Sequence, residues 1–351
     1  MSRAQVTSTV EQNTGGAVSP YVAGKNAIIN GGFDIWQRGT SFSLSSGATA
    51  VYTADRFGVT TVSGAATVSR QLADSTLPQF KYCIRVQRNS GETATGGQYL
   101  AQSVESLNTL QFVNKTISLS FYARKGADYS TTSSLMTATI WSGNASTDGN
   151  ILTTGGFGAG QATAAQVNVS LTTSWQRFTI TGTIGSTVTQ VAATFNNGPS
   201  GTAGTNDYFE ITGVQLELGS VATPFSRAGG TLSGELAACQ RYYYRSSSTA
   251  SNPYALFTQA FGANSSTQVY TSTRLPVSMR IPPTAADYAN LQVADGSNLY
   301  AVTSIVLDAN TSTQDIAAVG YNVSSGLTQY RPYAARGNNS SSAYLGFSAE
   351  L

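Results

Sequence analysis

Short runs of alternating apolar and polar residues, cut every few positions by Gly, Asn, Ser or Pro, recur along most of this chain, and a period of two is the signature of β-strands. Clear examples are Thr116-Ile117-Ser118-Leu119-Ser120-Phe121-Tyr122-Ala123, Leu135 to Trp141 and Tyr208 to Glu217. Further runs are Phe57 to Val62, Tyr82 to Val86, Gly97 to Gln102, Gln176 to Ile180 and Gln190 to Phe195. Ala27-Ile28-Ile29 and Phe33-Asp34-Ile35-Trp36 are expected to open the series as strands. Eight or more short strands with turn residues between them predict a β-sandwich jelly roll over residues 26–228.

Composition narrows the classes of function. Charged residues make up 10% of the 351, against roughly 25% in ordinary soluble proteins. Ser, Thr, Asn, Gln and 35 Gly fill the gap, which favours strands and turns with a neutral polar surface. With a formal net charge of +2 and no basic run, nucleic acid is not expected as a partner. No stretch reaches the ~20 apolar residues that span a bilayer, so membrane insertion is not expected, and no signal peptide is visible at the start. The chain has no His, which excludes Ser-His-Asp and Cys-His catalysis and any Cys/His metal site. Its two cysteines, Cys83 and Cys239, lie among apolar and aromatic neighbours and read as buried thiols rather than a bridge.

The remaining segments complete the domain plan. Residues 1–25 are polar, hold Pro20 and show no periodicity, as expected of an extended arm. Residues 229–245 contain a short helical linker, with Leu232, Leu236 and Cys239 spaced four and three apart and Ser233 as the expected N-cap. Strand patterns resume after it, including Tyr254 to Phe257, and predict a small second all-β domain over 246–351. The overall expectation is an all-β chain: N-terminal arm, jelly-roll sandwich, short linking helix and small C-terminal β domain.

Several motifs resemble a family of phage tail-fibre and virion proteins. Asn30-Gly31-Gly32-Phe33-Asp34-Ile35-Trp36-Gln37-Arg38-Gly39-Thr40-Ser41-Phe42 and Tyr52-Thr53-Ala54-Asp55-Arg56-Phe57 look like the opening of its jelly roll, and Phe209 to Phe225 like the closing strand. Cys239-Gln240-Arg241-Tyr242-Tyr243 is similar to its junction; Leu275 to Arg280 and Phe347-Ser348-Ala349-Glu350-Leu351 are similar to its small C-terminal domain. The jelly roll is also similar to carbohydrate-binding modules of the galactose-binding-like type. The resemblance implies a non-enzymatic subunit exposed on a virion, a tail fibre or receptor-binding protein that adheres to host surface glycan, commonly as a homotrimer. A head fibre, capsid decoration or other assembly protein is the alternative, and a polysaccharide-degrading enzyme a third. The arm 1–25 would attach the subunit to other virion proteins.

Candidate residues follow from these expectations. Sugar rings stack on aromatic faces beside amide donors, which points to Trp141, Asn144 and Trp175 as glycan-binding candidates, with Trp36 assigned to the core. No cofactor is required, and a structural calcium is expected near Asp34, Asp207 and Glu210. Tyr242, Tyr243 and Tyr244 are expected at an oligomer contact. Asp34, Asp55, Asp207, Glu210 and Glu217 are the carboxylates a glycosidase could use, but no motif joins any two of them.

Overall fold

The computed structural model describes residues 23–259 and 261–351, so the arm expected at 1–25 lies outside the described residues up to position 22. The chain divides into two compact units, one ending at Leu236 and the other spanning Ala237–Glu350. The fold is all-β, and the first unit is a jelly-roll sandwich. Among the described residues no helix is long and apolar enough to cross a membrane.

In chain order, the strands of the first unit begin with β1 (Ser41–Leu44), β2 (Val51–Tyr52), β3 (Gly58–Thr61), β4 (Ala66–Leu72), β5 (Tyr82–Arg88) and β6 (Gln98–Val104). They continue with β7 (Thr116–Lys125), β8 (Thr131–Gly143), β9 (Ala162–Ser170), β10 (Gln176–Thr183), β11 (Gln190–Pro199) and β12 (Tyr208–Leu218). One sheet has the order β1-β4-β5-β12-β7-β10 and the other β2-β3-β6-β11-β8-β9. The pairing is antiparallel throughout, with long crossovers that set β12 between β5 and β7, and β11 between β6 and β8.

Alternation builds the core between the sheets. Ile117, Leu119, Phe121 and Ala123 of β7 face Val191, Ala193 and Phe195 of β11 and Met136, Ala138 and Ile140 of β8, all within one buried cluster. Phe121 meets Phe195 edge to face at 4.8 Å, one ring from each sheet, a geometry that suits the ring quadrupoles. On β12 the alternation is reset by a bulge between Thr212 and Gln215. Phe209 and Ile211 enter the core before it, Val214 and Leu216 after it. Gly213 makes this turn at φ 63°, and a Cβ there would lie 2.5 Å from Cζ of Phe80, so both conformation and space require glycine.

Two expected strands are absent. Ala27 to Ile29 and Phe33 to Trp36 bury Ile28, Phe33 and Trp36 in the core, yet they run as irregular chain between turns. Asparagine side chains take the place of a ladder. Asn26 bonds the carbonyls of Val214 and Ser226 and the amides of Ile28 and Leu216. Asn30, at φ 61°, likewise bonds the carbonyls of Ile35 and Asp55 and the amide of Ile35. Conversely β4 and β9 were not marked by the apolar runs, because β9 is an edge strand made mainly of Ala, Gln and Asn with most side chains exposed.

The helix α1 (Leu232–Gln240) forms where expected, but its N-cap is Thr231 and not Ser233. The Thr231 carbonyl accepts from the Glu235 amide and its hydroxyl from the Gly234 amide at 3.0 Å, which leaves Ser233 exposed in the first turn. Among the described residues of the second unit, ten strands form three small antiparallel sheets around Val319, Tyr321, Tyr333, Phe347 and Met279. Tyr254 to Phe257 is no strand there; Leu256 only bridges Arg336. Both cysteines are buried and neither forms a disulfide, and burial pushes the Cys83 thiol up.

Candidate functional site

The outward face of the β2-β3-β6-β11-β8-β9 sheet carries a cleft of about 240 Å³. Antiparallel register places its side chains in rows across neighbouring strands. Tyr99 of β6, Asn196 of β11 and Thr137 of β8 lie opposite one another. One step along, Thr194 of β11 faces Thr139 of β8, which faces Gln166 of β9. Trp141 follows on β8, opposite Ala192, and this small neighbour leaves room beside the indole. Trp141 Nε1 donates to Thr194 Oγ1 at 2.9 Å, which fixes the ring plane, while the Gln166 and Asn196 amides have no hydrogen-bond partner among the described residues.

A loop supplies the remaining wall. Between β8 and β9 the chain leaves the sheet at Asn144 and returns at Gln161, laying Ile151, Leu152 and Gln161 along the cleft. Neutral polar groups hold it down. The Ile151 amide donates to Ser103 Oγ, Asn150 Nδ2 to the Tyr52 hydroxyl, and the Gly149 amide to Gln190 Oε1. Phe157 is buried over Gly143, where a Cβ would meet its ring at 2.8 Å. Under this cover Thr139 and Thr194 are only 2% and 4% exposed although they point away from the core.

Charge separates the two sheets of the sandwich. The six strands of the cleft sheet contain no Asp, Glu, Lys or Arg. Strands of the other sheet carry Arg70, Arg85, Arg88, Arg124, Lys125, Arg177, Glu210 and Glu217. Their guanidinium groups are largely occupied. Arg85 and Arg124 both hold the buried Glu210 carboxylate, at 2.7 and 2.6 Å, and lie over the rings of Tyr208 and Trp175. Arg88, itself buried, pairs with Asp207 at 2.8 Å and also reaches Ser130 Oγ and the carbonyls of Gly201, Glu92 and Ala94.

The sequence-predicted residues are distributed unevenly over these features. Trp141 lies in the cleft. Asn144 sits at the exposed start of the loop, its amide bonded to the Ala159 carbonyl, and does not line the cleft. Trp175 immediately precedes β10 of the charged sheet, half-buried under Arg124, so the structure does not bring it to Trp141. The acids expected around calcium are each engaged by arginine: Asp34 by Arg227, Asp207 by Arg88, Glu210 by Arg85 and Arg124. Among the described residues no group of three His, Cys, Asp or Glu gathers as a metal ligand set. Tyr242 and Tyr243 are 1% exposed, and the Tyr243 hydroxyl donates to Asp287. Their burial leaves only the partly exposed Tyr244 of the three with side-chain surface for an oligomer contact.

Tyr99, Thr137, Thr139, Gln166, Thr194 and Asn196 were not singled out from the sequence. For all but Gln166, which lies on the unmarked edge strand β9, the signal was present as the polar half of strands whose apolar half marked the core, ending on β8 in Trp141.

No protein-family model and no curated protein matches this sequence. Among solved structures, the enzymatically active domain of a tailspike protein from bacteriophage CBA120 is 12% identical over 57% of this chain and 22% of that one, with a TM-score of 0.34. A family 4 carbohydrate-binding module is 18% identical over 54% of this chain and 98% of its own, with a TM-score of 0.31. A family 61 module, solved in complex with β-1,4-galactotriose, is 15% identical over 55% and 99%, with a TM-score of 0.30.

Proposed function

We propose that this chain binds glycan in the cleft of its charge-free sheet, without cleaving it, as a subunit exposed on a phage particle. The observation that carries this reading is the cleft itself. Trp141 is held in a fixed plane by Thr194, Tyr99 stands two strands away, and amides and hydroxyls of Asn196, Gln166, Thr137 and Thr139 lie around them. An aromatic face gives the apolar side of a sugar ring a platform, and fixed amides and hydroxyls answer its hydroxyl groups. The cleft is below the ~300 Å³ at which drug-sized pockets begin, so each copy takes a short stretch of sugar and binds it weakly. Several copies on one particle convert weak sites into firm adhesion, and a homotrimer is the proposed assembly.

The non-catalytic part of the reading is supported by the lining, which holds no carboxylate, whereas glycoside hydrolysis ordinarily uses two. The virion setting is supported by the opening, junction and C-terminal motifs described above. A protein-contact role for the second unit is favoured by its exposed Tyr254, Leu256, Phe261, Leu299, Val306 and Tyr330, the last 80% exposed.

Affinity electrophoresis and cell-binding assays test the proposal. Trp141→Ala is expected to weaken retention by polysaccharide at least about tenfold, roughly 1.4 kcal/mol, with little change in melting temperature. Unaltered binding in that variant would remove the cleft from the function. Reducing-sugar release by the wild-type chain would convert the reading to an enzyme.

A further inference from the structure

We infer that the cleft selects uncharged glycan and rejects sugars bearing carboxylate, phosphate or sulfate. This rests on the glycan-binding reading above and adds the ligand's chemical class. Every lining residue is neutral, namely Tyr, Trp, Thr, Asn, Gln, Ile and Leu. The absence of charge extends beyond the lining to all six strands of the sheet, while the opposite sheet of the same unit concentrates arginine. The loop over the cleft carries one charged residue, Asp148, whose carboxylate accepts from the Ser106 amide and would repel an anion in any case.

An acidic sugar entering this cleft gives up water around its charge and meets only dipoles in exchange. Thr139 and Thr194 are already shielded from solvent, and no lysine or arginine lines the cleft to compensate the loss. A neutral sugar loses only hydroxyl hydration, which the amides and hydroxyls replace. Discrimination therefore comes from a missing partner for the wrong ligand, and affinity for the right one is independent of salt.

The test is a glycan array printed with matched pairs, including β-1,4-galactotriose and cellotriose and the C6-oxidised uronate of each, together with sialylated, sulfated and phosphorylated members. The intact chain is applied at about 50 mM and about 500 mM salt, conditions that differ severalfold in screening length. Signals confined to neutral members, equal at both salts and lost in Trp141→Ala, are the expected result. Signals confined to acidic members and lost in Trp141→Ala overturn the charge selection and leave the glycan reading intact. No signal dependent on Trp141 on any member overturns both. A second variant, Gln166→Lys, places a cation on an exposed position of β9 at the cleft without disturbing the core. It is expected to raise the ratio of uronate to neutral binding at least about tenfold, while the neutral members themselves weaken through loss of the Gln166 amide. Continued rejection of uronates by a folded Gln166→Lys that still binds neutral members would show that charge is not what excludes them.

Discussion

The two sheets of the first unit have six strands each and share one core, yet they resolve their outward faces in opposite ways. One face closes on itself: guanidinium groups meet Glu210 or lie over Tyr122, Tyr208 and Trp175, while Arg88 and Asp207 pair on the buried side of the same sheet. The other leaves amides without internal partners beside an oriented indole. The difference separates stability from recognition. Charges that are buried and paired are costly to disturb, because removing one partner strands the other; neutral groups at a surface can be exchanged with little effect on folding.

The comparison would break first at Arg88. Arg88→Ala leaves Asp207 buried without its cation and is expected to cost about 3–5 kcal/mol in urea unfolding, with glycan affinity of the remaining folded fraction unchanged. A variant of wild-type stability would show that the charged sheet does not carry the fold in the way described.

Thr194→Val sharpens the opposite side. It removes the acceptor that orients Trp141, so binding should fall by roughly 0.5–1.5 kcal/mol, about two- to tenfold by titration calorimetry, while the melting temperature shifts little. A matching loss of stability with no loss of binding would reverse the assignment of roles.

The smallest effect concerns acid. Asp74 is held below its ordinary value of 3.8, chiefly by the Thr76 hydroxyl and also by Arg124 of the charged sheet. A depressed carboxylate contributes stability above its unfolded pKa and loses it as pH falls through the folded one, so Asp74→Asn should lower the melting temperature slightly at pH 6 and progressively less as the pH falls below 3.8. The site is solvent-screened, which keeps the effect small. Glycan affinity, by contrast, should stay flat from about pH 5 to 8, since no carboxylate, imidazole or amine lines the cleft.

Most strands of the sandwich were legible because they keep a period of two that a buried face enforces, edge strand β9 being an exception. Leu135 to Trp141, for example, lies wholly within β8, and Tyr208 to Glu217 within β12. Where a side chain substitutes for the ladder the pattern misleads. Ile28 and Phe33 are as apolar and buried as any strand residue, but Asn26 and Asn30 take up the hydrogen bonds of their neighbours. Of the aromatic candidates, Trp141 was marked by its place between a strand and a polar loop. Trp175 has the same local sequence character and stands just before a strand of the other sheet, because strand order, which no local pattern encodes, decides which sheet a segment joins. The Tyr242-Tyr243-Tyr244 run shows the same limit, since burial of its first two rings depends on partners far along the chain such as Asp287.

The wall of the cleft formed by residues 144–161 joins β8 and β9, which are already paired along their length. Because its ends are pinned side by side, lengthening it costs only about 0.6 kcal/mol per doubling in closure entropy, and no rung of either sheet has to move. Insertions and deletions at this one hairpin therefore offer a lineage of such chains a way to reshape the cleft while the sandwich beneath is inherited unchanged.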